Sequence, residues 1–319
     1  MPRPTLPQLI QSRTLVLTEG AVIERLRRDP KVRLDDHVLT AGMIYDPVAR
    51  EKLARIFLDY LAAGRRHGLP MLICAPIWRA SREHLEASEF CGCDVNGDNI
   101  RALAEIRDQL GGYAKKVLVG GLMGCRGNAY DPRDSLPADA AREYHSWQAS
   151  KMAAARPDFI QASTLPALDE ALGMAKALAA FRIPYLLSFV LRPTGRLLDG
   201  TPLPQALDAI DQATDPRPAA YLINCTHPRV LMTALKSLPP LPRLVGLQAN
   251  TSDKPPEELD QAEELHSQEP APFAQDMLRL HRRFGLHILG GCCGTDNRHI
   301  EELGRLMAQQ TSSVQQKSA

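Results

Sequence analysis

Short apolar runs alternate along the chain with longer stretches of helical periodicity. The runs cover residues 15–19, 71–78, 117–123, 159–164, 185–191, 221–225, 244–250 and 287–293. Each is apolar almost throughout, as strands of a parallel sheet covered on both faces must be. Helical patterns lie between them, over residues 50–64, 99–110, 168–181, 203–213 and 272–285. In the third of these, Leu168, Ala171, Leu172, Ala175 and Leu178 keep the i, i+3, i+4, i+7 spacing of one buried helical face.

The eight strands recur about every 39 residues, which predicts a single (β/α)8 TIM barrel spanning residues 1–310. A doubly wound sheet would need a glycine-rich turn after its first strand. The turn here is Glu19-Gly20-Ala21-Val22, with no GxGxxG. Residues 253–270, rich in Pro, Glu and Gln, read as a surface excursion after strand 7. Residues 311–319 are polar and are expected to fray as a disordered tail.

Charge narrows the partners. Thirty-eight Lys+Arg against 37 Asp+Glu give a net charge of +1, which offers no footprint for nucleic acid or an anionic membrane. No apolar run approaches the roughly 20 residues that span a bilayer. The first seven residues hold three prolines and no apolar signal core. Seven cysteines, an odd number in a long chain, read as thiols or metal ligands rather than a disulfide framework. A cytoplasmic protein is therefore expected.

In a barrel of this kind, function collects at the C-terminal strand ends. Three cysteines fall there: Cys225 after strand 6, and Cys292 with Cys293 in Gly290-Gly291-Cys292-Cys293-Gly294-Thr295 after strand 8. Neighbouring strand residues point to opposite faces, so two adjacent thiolates share an ion only if the backbone bends. Gly290, Gly291 and Gly294 are expected to supply that bend. Buried structural cysteine is the ordinary alternative for any one of the three. As a set, three soft thiolates select zinc and leave the fourth tetrahedral position open. Three thiolates on Zn2+ sum to −1, a poor arrangement for hydrolysis. It suits a substrate thiol that enters the open position, loses its proton and stays nucleophilic.

The Asn224-Cys225 pair together with Gly290-Gly291-Cys292-Cys293-Gly294-Thr295 resembles the homocysteine S-methyltransferase family. Weaker likenesses extend over nearly the whole chain. They are Glu19-Gly20-Ala21, Asp158-Phe159-Ile160 with Thr164-Leu165-Pro166, Ser188-Phe189, the segment from Gly195 to Gly200, and Asn250. The resemblance implies a (β/α)8 barrel with Cys225, Cys292 and Cys293 as zinc ligands. It implies a methyltransferase that moves a methyl group from an onium donor to homocysteine or a related thiol, giving methionine or a thioether. Glu19, Gly20, Trp78, Ser163, Thr164, Asn224 and Asn250 are the substrate-binding candidates. One departure stands out. Where the family carries a Glu that holds the amino group of homocysteine, this chain has Ser163. Either Glu19 is the carboxylate that stands in for it, or the acceptor is a related thiol that lacks the amino group, and a hydroxyl in place of an ion-pair partner favours the second.

Other residues carry weaker signals. Trp78 offers an indole face to an onium donor, and Arg79 a guanidinium to a carboxylate; packing and solvation are their plain alternatives. His227 reads as a loop residue rather than a fourth ligand. Cys91-x-Cys93 reads as a loop, Cys74 and Cys125 as packing residues, and Gly120, Gly121 and Gly124 as points of close backbone approach. Two competing functions remain: a non-catalytic zinc or thiol sensor on the same barrel, and a barrel that holds a phosphorylated substrate on the strand-8 glycines.

Overall fold

All eight apolar runs form parallel strands of one closed sheet in the order β1 to β8, with β1 also paired to β8. The computed structural model describes residues 2–255, 258 and 267–318. The strands are β1 (Val16–Thr18), β2 (Met71–Cys74), β3 (Val117–Met123), β4 (Phe159–Leu165), β5 (Tyr185–Phe189), β6 (Ala220–Thr226), β7 (Leu244–Ala249) and β8 (Ile288–Gly291). The helices are α1 (Leu6–Ser12), α2 (Ile23–Arg27), α3 (Pro47–Arg66), α4 (Arg82–Ala87), α5 (Val95–Asp108), α6 (Ala138–Ala154), α7 (Leu168–Ala179), α8 (Leu203–Ala213), α9 (Pro228–Lys236), α10 (Pro270–Phe284) and α11 (Asn297–Ser318). The architecture is the single (β/α)8 barrel that the periodicity predicts.

Alternation along the strands sorts side chains between two cores. Leu17, Ile73, Ile160, Ala162, Leu187 and Ile223 face the helices. Val16, Leu72, Leu118, Phe159, Leu186 and Leu222 fill the interior near the N-terminal strand ends. Two residues further along, the interior turns polar: Thr18, Gln161, Ser188 and Asn224 are buried there, with Ser163 one step beyond Gln161 on β4 and Gln248 of β7 joining them. The floor of the barrel is thus a packed apolar layer and its upper storey a hydrogen-bonded one. The floor is closed from below by α1, which the apolar pattern did not mark. Thr5 caps it in a reciprocal box with Gln8, and Leu6 and Leu9 pack against the floor residues.

Two expectations meet the structure differently. Residues 311–318 continue the backbone of α11 rather than fray, because nothing after Gly304 interrupts the helix with Gly or Pro. The excursion expected over 253–270 lies for the most part outside the described residues. Among the described residues, no helix is long and apolar enough to cross a membrane.

Because Leu6 is fully buried at the end of the barrel opposite the polar storey, Leu6→Ala should lower stability by about 2–5 kcal/mol. The same variant should keep its activity below the melting transition. Urea unfolding beside an activity assay checks this; a loss under about 1 kcal/mol would contradict the closing role of α1.

Candidate active site at the mouth of the barrel

Cys225 reaches the mouth because β6 is irregular there. The β6–β7 register shifts between Asn224 and Thr226, and Cys225 takes φ +50°. Thr164 on β4 has φ +63° beside a shift between Ala162 and Leu165. Non-glycine residues avoid this region unless their surroundings hold them there. The holding group is Asn224. Its Oδ1 accepts from the Thr164 backbone N–H at 2.9 Å and from Ser188 Oγ at 2.7 Å. Its Nδ2 donates to Thr164 Oγ1 at 2.7 Å and to Cys225 Sγ at 3.2 Å.

Cys292 and Cys293 lie in a turn just past β8. Cys292 N–H donates to Ala249 O at 2.7 Å, and Cys293 O accepts from Thr251 N–H at 3.2 Å, which pins the turn to β7. Thr295 Oγ1 donates to Cys292 O at 2.6 Å and accepts from Ala21 N–H at 3.1 Å, which ties it to the first βα loop. The Gly294 N–H is taken by the Glu24 carboxylate. Of the three glycines expected to bend the chain, only Gly294 has positive φ, at +82°. Gly290 and Gly291 are strand residues of ordinary φ. A Cβ at Gly290 would strike Thr18, so it is close packing that calls for glycine there. The left-handed residue that turns a thiol inward is Cys225 itself.

The three sulfurs lie within 4.8 Å of one another, with Cys225 and Cys292 2.7 Å apart. Thiol hydrogen bonds from Cys292 and Cys293 hold Cys225 well below the usual thiol range, while the same bonds keep Cys292 well above it; bonding to Cys225 pushes Cys293 up to about 12. A tetrahedral zinc with bonds of about 2.3 Å sets its sulfurs about 3.8 Å apart. Three soft donors within 4.8 Å suit such an ion once Cys225 and Cys292 separate by about 1 Å to admit it.

The cluster opens into a cavity of about 580 Å³. All ten residues singled out from the sequence line it: Glu19, Gly20, Trp78, Ser163, Thr164, Asn224, Cys225, Asn250, Cys292 and Cys293. Burial pushes Glu19 up to about 8. Its Oε1 accepts from Cys74 N–H at 3.1 Å, and its Oε2 is buried without a partner. Asn250 Oδ1 is likewise buried and unpartnered. Ser163 Oγ accepts from Gln161 Nε2 at 2.6 Å, and its carbonyl accepts from Trp78 Nε1 at 3.2 Å. The Trp78 ring already carries a cation, since the Arg79 guanidinium stands 5.6 Å from its centroid.

The remaining candidates fall elsewhere. His227 caps α9, accepting from Arg229 N–H at 3.2 Å. Cys91 and Cys93 are exposed and Cys125 is buried. The strand-8 glycines make a poor phosphate cradle, because the Gly294 N–H is occupied and Glu19 and Glu24 face the same cavity. Sequence reasoning missed Gln161, Gln248 and Tyr130. Gln161 and Gln248 bond to each other at 2.7 Å across the barrel. Their signal was a lone amide within each apolar strand. Tyr130, in a polar loop, packs against the cluster that contains Cys225 and lines the cavity with all three cysteines; it carried no such signal.

Comparison with known proteins agrees with this geometry. The homocysteine S-methyltransferase family model matches residues 16–307. A curated relative, homocysteine S-methyltransferase YbgG of Bacillus subtilis, is 23% identical over 317 residues, covering 92% of this chain and 95% of that protein. The metallated form of the homocysteine methyltransferase MmuM from Escherichia coli superposes with a TM-score of 0.73 at 22% identity, over 94% of this chain and 99% of that one. Its oxidised form gives 0.72 at 23% identity, over 92% and 96%. The chain therefore belongs to the homocysteine S-methyltransferase family and is a methyltransferase.

Proposed function

We propose that this enzyme transfers a methyl group from an onium donor to the thiol of homocysteine, with zinc held by Cys225, Cys292 and Cys293. The observation that carries the reading is the convergence of three sulfurs within 4.8 Å at the wall of the cavity that holds the substrate candidates. When bound, zinc would lower the pKa of the acceptor thiol and keep the resulting thiolate in place. The chain's own part is to hold the three sulfurs, exclude water and orient the acceptor. An oxidising compartment would threaten so close a thiol pair as Cys225 and Cys292, which supports a cytoplasmic location.

Ser163 does not leave the amino group of homocysteine without a partner. Glu19 Oε2 and Asn250 Oδ1 are two buried acceptors with no donor of their own, and an ammonium supplies three donors. Buried acceptors left unmet cost free energy that a ligand recovers by bonding to them. An acceptor thiol that carries an amino group fits this cavity better than one that lacks it. Ser163, occupied by Gln161, tightens the wall instead of contacting the charge.

Two tests follow from these residues. Reduced protein should bind about one zinc per chain, and Cys292→Ala or Cys293→Ala should abolish tight binding while the far-ultraviolet spectrum is kept. Uptake should release protons, because Cys292 and Cys293 are held as thiols beforehand. Full zinc retention in a variant lacking all three cysteines would end the reading.

Glu19 sets the pH dependence. Its carboxyl holds a proton up to about 8, and an ammonium favours the carboxylate, so the acceptor must displace that proton. The preference for homocysteine over 4-mercaptobutanoate, the same skeleton without the amino group, should therefore grow as pH rises from 6 to 8. Glu19→Gln should flatten that trend and cut the preference by about tenfold or more. Ratios of kcat/KM for the two thiols measure it, and a wild-type preference for the deaminated thiol would refute the assignment. The same proton makes Glu19's contribution to stability fall as pH rises toward about 8, since the folded state binds it there and the unfolded state does not.

A further inference from the structure

The connection from β3 to α6 crosses the mouth of the barrel and gives Ala129 and Tyr130 to the cavity wall. Its sequence from Arg126 to Leu136 is mostly polar, with little apolar surface to hold it down. Both ends of this loop are nevertheless tied to one side chain. Glu170, in the first turn of α7, is completely buried. Its Oε1 accepts from the Arg126 backbone N–H at 2.7 Å and lies 2.9 Å from His145 Nε2; its Oε2 accepts from the Leu136 backbone N–H at 3.4 Å.

His145 is 1% exposed on α6, and its Nδ1 has no partner. The tautomer with hydrogen on Nε2 makes the ring a donor to Glu170. A carboxylate is costly to bury unless its lone pairs are used. Here two of its three donors are the backbone at opposite ends of a single loop, an arrangement that fixes the span between them. What lies in that span is Tyr130, which packs against the small cluster of Val190, Leu198 and Cys225 that Cys292 and Cys293 also join, and which lines the cavity beside all three cysteines.

We propose that Glu170 is a positioning residue, steadied by His145, whose carboxylate fixes the 126–136 loop so that Tyr130 covers the thiol cluster. Glu170 follows β4 by five residues, so the loop is referenced to the strand whose end carries Ser163 and Thr164. The cover keeps water and stray reagents off the sulfurs, while the substrate candidates Glu19 and Asn250 line the same cavity from the ends of β1 and β7.

Cysteine labelling tests this without substrate or metal, so its failure would be distinct from failure of the assigned reaction. Reduced, chelator-stripped protein is alkylated with iodoacetamide and each site read by peptide mass. Exposed Cys91 and Cys93 serve as an internal clock, and buried Cys74 reports global opening. Glu170→Gln keeps the size but faces an NH2 toward the donors. It should speed labelling of the cluster, Cys225, Cys292 and Cys293 taken together, relative to Cys91 by about tenfold, with Cys74 unreactive. Tyr130→Ala should give a similar gain, and the double variant no more than either single one, because both act through the same cover. His145→Ala, which leaves both loop bonds in place, should give a smaller gain in the same direction and serves if Glu170→Gln does not fold. In zinc-loaded enzyme, Glu170→Gln should lower kcat while the KM for the thiol stays within about twofold. Unchanged rates at Cys225, Cys292 and Cys293, an acceleration shared by Cys74, or full additivity in the double variant would overturn the proposal.

Discussion

The site depends on one carboxamide. Asn224 joins β4, β5 and β6 through Thr164 and Ser188, and its remaining N–H lies on the Cys225 sulfur. Two neighbouring residues, Cys225 and Thr164, stand at positive φ, a conformation that costs about 1–3 kcal/mol for a side chain with a Cβ. Four hydrogen bonds in a buried setting offset that cost and leave each residue a single orientation. Without the left-handed turn at Cys225, its side chain would follow the strand's alternation away from Cys292. The triangle of sulfurs is thus a consequence of backbone strain held in place by an amide.

Around that amide the barrel is built in two storeys. The apolar floor, sealed by α1, supplies the stability, and the polar storey above it supplies geometry. Thr18, Gln248, Gln161 and Ser163 form a hydrogen-bonded chain across the interior. In a low-dielectric interior such a chain is rigid only if each member is satisfied. The exceptions that face the cavity are Glu19 Oε2 and Asn250 Oδ1. An otherwise saturated network with two open acceptors at its ligand-facing edge is what a site for an ammonium requires. Under the proposed assignment, Glu19 at the end of β1 supplies the acidic partner that Ser163 on β4 does not, its proton giving way when an ammonium binds.

The thiol cluster adds an electrostatic constraint. Mutual hydrogen bonding pushes Cys225 below the usual thiol range and its two partners above it. The three sulfurs are already gathered within 4.8 Å by the fold, so an ion would meet a compact set of donors rather than assemble scattered ligands. The turn that carries Cys292 and Cys293 is fastened on three sides, by Ala249 and Thr251, by Thr295 and by Glu24. Rigid fastening of ligands by their surroundings is what keeps a metal's open position open.

The sequence by itself determined the barrel, and through its cysteine motif the family. Eight apolar runs at even spacing leave few alternatives to a closed parallel sheet, because every strand is buried on both faces. Three cysteines at strand ends, two inside a glycine-flanked pair, name a soft-metal site through ligand type alone. What the chain could not reveal is which glycine turns and which packs. Both roles look alike in one dimension, and the positive φ at Cys225 arises from hydrogen bonds to β4 and β5. Nor could it reveal that Gln161 and Gln248 meet across the interior, or that Glu170 ties both ends of a loop lying some 40 residues before it. Local pattern encodes which face of an element is buried. The partners that satisfy a buried polar group come from distant strands and loops, so only the closed barrel decided them.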